Sequence, residues 1–223
     1  MRSAPASALG RLRKAGPRQL AQTGLSIVED LLFELRGGVD TRRFVALDRA
    51  SPVLGENAPH GRDYHPTRVR HFRALMRALD LPEGLGFLDL GSGKGRILIL
   101  AAAMPFLRVV GVEYSPELCA VARQNLRRSG LERVELLQVD AARLEIDDDL
   151  HVFYAFNPFD EVVLAAVLEN IGASLRRAPR PAWIILNKAR HDALIPLAGA
   201  FEPVLDLRYG NAAFRVFHQP AQR

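Results

Sequence analysis

A glycine-rich turn at residues 87–96, Phe-Leu-Asp-Leu-Gly-Ser-Gly-Lys-Gly-Arg, is the segment whose residue types best suit ligand chemistry. It joins an apolar run to a helical pattern. In parallel α/β folds, ligands bind outside the carboxyl ends of the strands, where backbone approaches them closely if side chains are absent. The spacing is G-x-G-x-G, and Arg96 stands where the dinucleotide fingerprint has its third glycine. The turn therefore predicts a ligand-binding loop that does not suit a dinucleotide. The residues expected to contact the ligand are Gly91, Ser92, Gly93 and Gly95.

Three acids follow three successive predicted strands. Asp89 just before the loop would repel a pyrophosphate and attract an ammonium, and S-adenosylmethionine has an ammonium and no phosphate. Glu113 lies 22 residues after Gly91, close to the spacing at which an acid binds ribose hydroxyls. Asp140 can accept the exocyclic amine of an adenine. The acids and their neighbours Tyr114 and Ala141 thus predict an S-adenosylmethionine site. The alternative is that each acid is only a polar residue where a strand emerges into water.

From residue 86 onward the pattern alternates between strands and helices, which predicts crossover units and a parallel, doubly wound α/β sheet. The predicted strands are residues 86–90, 108–113, 134–138, 152–156 and 183–187, with a closing hairpin at 204–207 and 213–217. The predicted helices are residues 95–104, 115–130, 160–175 and 191–200. Lys94 and Arg96 are expected to face solvent or to pack as helix-start residues.

An N-terminal helical appendage is predicted at residues 19–80. Its first helix, residues 19–38, carries an apparent capping box from Ser26 to Glu29. An apolar stripe at helical spacing is expected to face inward: Leu25, Val28, Leu31, Leu32 and Leu35. Thr67 is expected to cap a second helix, and residues 39–66 are predicted to be mostly loop. The remaining divisions are a disordered basic tail at 1–18 and a core at 81–223.

Composition is that of an ordinary globular chain, with 48% apolar and 25% charged residues among 223. The net charge of +5 comes entirely from residues 1–18, which hold five cations and no acid. The balanced core disfavours a dedicated nucleic-acid module, and the tail could be a weak electrostatic arm.

A single cysteine excludes an internal disulfide. No apolar run is long enough for a membrane span, and no signal peptide is visible, so the expected compartment is the cytoplasm.

The glycine loop and its acids resemble the class I S-adenosylmethionine-dependent methyltransferases, over residues 85 to about 187. The resemblance implies a Rossmann-like seven-stranded sheet in the order 3-2-1-4-5-7-6, with only strand 7 antiparallel. It also implies S-adenosylmethionine as the cofactor, and no metal is required.

The fourth predicted strand ends in Asn157-Pro158-Phe159, which is similar to the segment that holds the acceptor in class I enzymes that methylate nitrogen. The amide oxygen of Asn157 can accept a hydrogen bond from an amine, Phe159 can form an apolar wall, and Asn157 is also expected near the cofactor. There is one proline where the adenine-type motif has two, which puts a base substrate in doubt. The alternative interpretation is a turn in which Asp160 caps the next helix.

The segment at residues 63–67, Asp-Tyr-His-Pro-Thr, looks like one that precedes the core in two groups of lysine methyltransferases. These are the non-SET histone lysine methyltransferases and the family that methylates the ring subunit of the mitochondrial ATP synthase. The resemblance implies that Tyr64 and Thr67 cover the cofactor's methionine end, although they could be only core and cap. The second group has a membrane anchor and this sequence shows none. Asn187 and Lys188 are weaker candidates for an acceptor channel.

The sequence therefore predicts an S-adenosylmethionine-dependent methyltransferase that N-methylates an amine such as a protein lysine. Its expected partner is a protein or small-molecule acceptor, with nucleic acid disfavoured. The alternatives are a small-molecule methyltransferase and a non-catalytic cofactor- or RNA-binding module of the same fold. An NAD or nucleotide-sugar enzyme is disfavoured by Asp89 and Arg96.

Overall fold

A computed structural model describes residues 17–46, 60, 63–156 and 159–221, with the side chains of the first helix described from residue 21 onward. Residues 1–16, which make up most of the predicted basic tail, lie outside the described part of the chain, as do Asn157 and Pro158.

A single seven-stranded sheet has the order β3-β2-β1-β4-β5-β7-β6. The first five strands pair in parallel, and β7 runs antiparallel to both of its neighbours. This confirms the predicted fold class and strand order. The strands are β1 (Gly86–Leu90), β2 (Arg108–Glu113), β3 (Glu135–Gln138), β4 (Leu150–Ala155), β5 (Ala182–Asn187), β6 (Glu202–Tyr209) and β7 (Ala212–Gln219).

Helices cover both faces of the sheet. They are α1 (Pro17–Gly37), α2 (Val69–Leu79), α3 (Arg96–Ala102), α4 (Pro116–Arg128) and α5 (Glu161–Arg177), with two 3-10 turns at Ala141–Arg143 and Asp192–Ala198. Alternate residues of β1 enter opposite cores: Leu88 packs in the core that contains α5, and Phe87 packs in the core that contains α2 and α3. Burial on both faces explains why β1 is apolar along most of its length.

Several predicted boundaries shift. Residues 191–200 form only the 3-10 turn Asp192–Ala198, which contains Pro196, because a proline lacks the N–H that an α-helix needs there. The two hairpin strands are each longer than predicted.

The orientation of α1 contradicts the sequence prediction. Ser26 lies in the middle of the helix, where its hydroxyl donates to the Gln22 carbonyl at 2.9 Å, so it is not an N-cap. Ser26 and Asp30 are buried, whereas the predicted inward stripe is exposed, with Leu35 76% exposed.

Among the described residues, no helix combines the length and apolar content needed to cross a membrane.

Arg96 explains why the polar side of α1 faces the body of the protein. Its guanidinium is 2% exposed and lies 3.1 Å from Asp30 Oδ1 and 3.4 Å from Glu34 Oε1. Arg96 Nε donates to Thr41 Oγ1 at 2.9 Å. A buried charge must be paired to be tolerated, and α1 supplies the counter-charges. The expectation that Lys94 and Arg96 face solvent is therefore wrong; Lys94 is also buried and pairs with Asp40 at 3.1 Å.

The start of α2 also differs from the prediction. Thr67 is not the N-cap, which is Arg68, and the side chain of Arg68 makes no cap hydrogen bond. Instead Asp30 Oδ1 of α1 accepts from the Val69 N–H at 3.0 Å, and Asp30 Oδ2 lies 3.1 Å from Arg68 Nη1. The Asp30 carboxylate thus pairs with both Arg68 and Arg96 and also accepts from an N–H at the start of α2.

Replacing Asp30 by asparagine should destabilise the protein by about 3 kcal/mol or more, because it leaves a buried guanidinium with only part of its counter-charge. Urea unfolding measures the change. Glu29→Gln on the same helix is the control: Glu29 pairs with Arg70 at 2.7 Å and both side chains are about a third exposed. Exposed pairs contribute about 0–1 kcal/mol. Equal, small losses in the two variants would contradict the role given to Asp30.

Candidate active site

The turn after β1 folds around three glycines with positive φ: Gly91 at 78°, Gly93 at 55° and Gly95 at 79°. The N–H groups of Gly91 and Ser92 both donate to the Val112 carbonyl at 2.9 Å, which ties the turn to β2. Gly95 then serves as the N-cap of α3. Left-handed backbone at three alternate positions explains the G-x-G-x-G spacing, since glycine adopts it without steric cost.

Tyr64 lies directly over this turn. A Cβ added at Gly93 would come within 2.2 Å of Tyr64 Cε2, so a side chain at residue 93 would displace the ring. The hydroxyl of Tyr64 donates to the Thr41 carbonyl at 2.6 Å, and Tyr64 forms an isolated antiparallel bridge with Val45. The 63–67 segment therefore lies over the glycine turn, and its role in covering the methionine end of a cofactor stays a prediction.

Asp89 supplies a buried carboxyl group at the entrance to the turn. It is 2% exposed. Burial raises the pKa of Asp89 well above its usual value, and the nearby Glu113 adds to the rise. A carboxylate in a low-dielectric site gains most from a cation placed beside it. The position therefore favours a ligand that brings a positive charge.

Glu113 at the end of β2 is buried and already holds two backbone groups. Its two carboxylate oxygens accept from the N–H groups of Gly93 and Ser115, each at 2.9 Å. Burial raises the pKa of Glu113, and these hydrogen bonds oppose the rise. Glu113 thus positions the glycine turn as well as facing the cleft.

An apolar slot follows along the same edge of the sheet, lined by Val112, Val139, Ala141, Phe159 and Val163, with Gly91, Glu113, Tyr114 and Asp140 completing it. Asp140 Oδ1 accepts from the Ala142 N–H at 3.0 Å and so caps the 3-10 turn. Apolar walls together with the Asp140 carboxylate have the chemistry that a purine with an exocyclic amine requires.

The cleft beside the turn brings most of the predicted cofactor residues together: Tyr64, Thr67, Asp89, Gly91, Ser92, Glu113 and Tyr114. Phe159 lines both the cleft and the slot. Gly93 and Gly95 do not line either and act through backbone shape. The buried Ser92 hydroxyl has no hydrogen-bond partner among the described residues. The cleft has a volume of about 60 Å³.

A second, larger cavity of about 380 Å³ lies on the other side of Thr67 and Phe156. Both residues line the cleft as well, so the two spaces adjoin. Asn187 and Lys188, weaker candidates from the sequence, line this second cavity.

Three buried polar groups lie where the two spaces meet. Thr67 Oγ1 is 2.7 Å from Tyr154 Oη and accepts from Asn187 Nδ2 at 3.1 Å. Tyr154 lines the cleft, Asn187 lines the second cavity, and Thr67 lines both. Sequence reasoning missed Tyr154, because a tyrosine within an apolar strand is indistinguishable from a core residue until its hydroxyl is placed.

The second cavity has more basic than acidic side chains. Its charged lining residues are Arg42, Arg68, Lys188 and Asp30. Arg42 lies 3.3 Å from Glu34, and the Lys188 ammonium lies 5.1 Å from the centre of the Phe156 ring. Burial, together with nearby arginines, lowers the pKa of His71 to about 4, so this histidine is neutral near pH 7.

The predicted catalytic segment is only partly visible in the structure, since Asn157 and Pro158 lie outside the described residues. Phe159 is buried. Asp160 is the N-cap of α5: its Oδ1 accepts from the Val162 N–H at 3.1 Å, and its Oδ2 lies 2.6 Å from His60 Nδ1. The alternative assignment of Asp160 as a helix cap is thus correct, and it leaves the role of Asn157 a prediction.

Comparison with known families identifies the central part of the chain. Residues 81–185 match the family model described as a methyltransferase domain. This match spans just under half of the chain, and it makes the central part similar to a methyltransferase domain. The match agrees with the enzyme class predicted from the sequence, and its limits include β1 to β4, the glycine turn and the acids at the strand ends.

Individual relatives share this core and differ in their acceptors. A protein-L-isoaspartate O-methyltransferase of Thermococcus onnurineus is 33% identical over half of this chain and 48% of its own length. A release factor glutamine methyltransferase of Geobacter sulfurreducens is 43% identical over 33% of this chain and 25% of its own length. The chain thus matches about half or less of these curated relatives.

A solved RNA methyltransferase of Salinibacter ruber, in complex with S-adenosyl-L-homocysteine, has the same fold. Its TM-score is 0.54 at 23% identity, covering 71% of this chain and 95% of that one. Since an RNA methyltransferase shares the fold, the fold gives no support to the expectation that nucleic acid is a disfavoured partner.

The affinity for S-adenosylmethionine should rise as the pH rises through the raised pKa of Asp89, up to the pH at which the ligand's own α-ammonium begins to lose its proton. In the free protein burial keeps Asp89 protonated to an unusually high pH, whereas a bound ammonium would keep it ionised. The free protein then holds more protons than the complex, so raising the pH favours binding, by at most about tenfold per pH unit.

Isothermal titration calorimetry across this range measures the effect. Asp89→Asn should bind weakly and without this pH dependence. 5′-Methylthioadenosine, which lacks the amino-acid group, is the control ligand and should show no such rise with the wild-type protein. A pH-independent affinity for S-adenosylmethionine would show that its ammonium lies elsewhere.

Proposed function

We propose that this chain is an S-adenosylmethionine-dependent methyltransferase that methylates an amine nitrogen, with a protein lysine as the acceptor. The observation that carries the proposal is the junction of the cofactor cleft with the second cavity at Thr67, Tyr154 and Asn187. A transferase of this kind needs two adjoining sites, one for the donor and one for the acceptor.

The donor set fits S-adenosylmethionine. Asp89 would hold the ammonium, Glu113 the ribose, and the slot ending in Asp140 the adenine. Each group has the charge that the corresponding part of the ligand requires. Arg96 also lines the cleft, but it is already paired with Asp30 and Glu34, so it offers no free cation to a pyrophosphate. When bound, S-adenosylmethionine supplies an electrophilic methyl group on a sulfonium.

The acceptor site is proposed in the second cavity. Its volume of about 380 Å³ accommodates a long side chain. Phe156 forms an apolar wall, and the Thr67 hydroxyl, which is hydrogen-bonded to Tyr154, can accept a hydrogen bond from an incoming amine and so orient its lone pair. Asn157, which directly follows Phe156, is proposed to add an amide oxygen to the same task.

The charge of the cavity supports amine chemistry. A free lysine has a pKa of about 10.4, and its protonated form has no lone pair. The cationic lining of Arg42, Arg68 and Lys188 disfavours a further ammonium, and desolvation acts in the same direction. Both lower the pKa of an entering lysine, so a larger fraction is neutral and nucleophilic near pH 7.

The same cationic lining favours a second candidate, O-methylation of a carboxylate. A carboxylate needs no deprotonation at neutral pH and would be attracted by the cations. The O-methyltransferase among the relatives acts on isoaspartate, as its name states. The two candidates differ in their products, because a methyl ester hydrolyses in mild base and an N-methyl amine does not.

The experiment incubates the full chain with methyl-labelled S-adenosylmethionine and a lysate from its own source. Label is expected in protein, stable to mild base, and recovered as methylated lysine after acid hydrolysis. The labelling rate should climb from about pH 7 to about pH 9, as more of the lysine becomes neutral. Base-labile label would support the carboxylate, and label in RNA or in small molecules would overturn the protein acceptor. No transfer to any fraction, with the cofactor bound, would favour a non-catalytic module.

Tyr154→Phe should lower the turnover number about tenfold, equivalent to about 1.4 kcal/mol, while leaving the affinity for S-adenosylmethionine within about twofold. The substitution removes only the hydroxyl that meets Thr67. Tyr209→Phe is the matched control, since that hydroxyl accepts from Arg70 Nε at 2.8 Å away from both cavities. Single-turnover rates and calorimetry separate the two effects. A parallel loss of cofactor affinity would assign Tyr154 to the donor site.

A further inference from the structure

The outward side of α1 is an exposed apolar surface. We call it the leucine face, which consists of Leu25, Ile27, Val28, Leu31, Leu32 and Leu35. Their exposed fractions run from 36% at Leu31 to 76% at Leu35. An apolar stripe on an amphipathic helix normally packs inward, so six such side chains on the outer side of one helix require an explanation.

The acids of α1 all point the other way. Glu29 pairs with Arg70 at 2.7 Å, Asp30 with Arg96 at 3.1 Å, and Glu34 with Arg96 at 3.4 Å. Asp30 is buried and the other two are half-buried. Side chains of α1 are described for residues 21–37, and within this part no acidic side chain lies on the leucine face. Arg36 is exposed near the C-terminal end of the helix.

Strong positive charge adjoins this helix in the sequence. Residues 1–18, which lead into and begin α1, contain five basic and no acidic residues: Arg2, Arg11, Arg13, Lys14 and Arg18. This combination of apolar surface and basic chain is typical of segments that bind at the surface of an anionic bilayer.

We propose that the leucine face docks on an anionic lipid surface, which is the kind of surface favoured by the basic sequence that precedes and begins α1. The apolar side chains would enter the boundary between headgroups and acyl chains, and α1 would lie in the plane of that surface. Charge disfavours a second copy of this chain as the occupant. Pairing two leucine faces would bring together two helices that each begin with basic sequence, and the acids of both helices are turned inward and cannot offset the repulsion. The proposal does not depend on methyl transfer.

The surface lies beside the second cavity, because Ile27 belongs to the leucine face and also lines that cavity. Phe44 is 54% exposed, and its ring centre lies 4.9 Å from that of His65, another lining residue of the cavity. Docking would therefore place the cavity close to the lipid surface.

Co-sedimentation of the full chain with vesicles tests the proposal. We expect binding to vesicles of phosphatidylcholine that contain phosphatidylglycerol, and at least about tenfold weaker binding to phosphatidylcholine alone or in high salt. The double variant Leu31→Gln/Leu35→Gln should lose about tenfold or more in binding, with an unchanged melting temperature and unchanged affinity for S-adenosylmethionine.

The matched control is Leu107→Gln/Val162→Gln, two exposed apolar residues at 82% and 56% that lie outside α1. This variant should bind vesicles like the unmodified chain. Absence of vesicle binding by the unmodified chain would overturn the proposal. An equal loss of vesicle binding in both variants would also overturn it. A third contrary result is a chain that binds no vesicles and forms a dimer in light scattering, with Leu31→Gln/Leu35→Gln dissociating that dimer.

Discussion

The buried guanidinium of Arg96 is the group on which the N-terminal half of this structure depends. It begins the helix that follows the glycine turn, and it is surrounded by Asp30 and Glu34 of α1, Thr41 of the following segment, and the Thr67 carbonyl. A single unpaired charge at this depth would be prohibitively costly. Satisfying it fixes α1, the 38–46 segment and the 63–67 segment relative to the glycine turn.

This arrangement makes the N-terminal segment part of the proposed cofactor site. Tyr64 covers the turn and Thr67 divides the two cavities, and both depend on chain held in place through Arg96. The domain boundary predicted between residues 80 and 81 stays a prediction, and the ion pairs of Arg96 cross it. The turn itself is held from the other side by Glu113, whose carboxylate binds the Gly93 N–H. Donor-site geometry is therefore set by charges on both sides of the turn.

The sheet, its order and the glycine turn could be predicted because each has a local signal. Alternating apolar runs and helical patterns specify strands buried on both faces, and the three left-handed glycines appear directly as their spacing. The acids at the strand ends could be predicted for the same reason, since their positions follow from the ends of the strands.

The orientation of α1 could not be predicted from periodicity. A stripe of leucines shows that a helix is amphipathic, but which side faces the body depends on a charge about 60 residues away in sequence, at Arg96. The same holds for Thr67, which resembles a helix cap in sequence and instead meets Tyr154 and Asn187 from two different strands. Such contacts exist only after the sheet has assembled. Leu35 is apolar and exposed, so its predicted inward position is wrong, whereas Tyr154 is polar and buried and the sequence gives no signal for it.

The central claim is that the cleft beside Asp89 binds S-adenosylmethionine and not a dinucleotide. Calorimetric titration of the full chain with S-adenosylmethionine and, separately, with NAD tests it most directly. The structure predicts saturable binding of S-adenosylmethionine at one site per chain and no measurable heat from NAD. Binding of NAD without binding of S-adenosylmethionine would contradict the account.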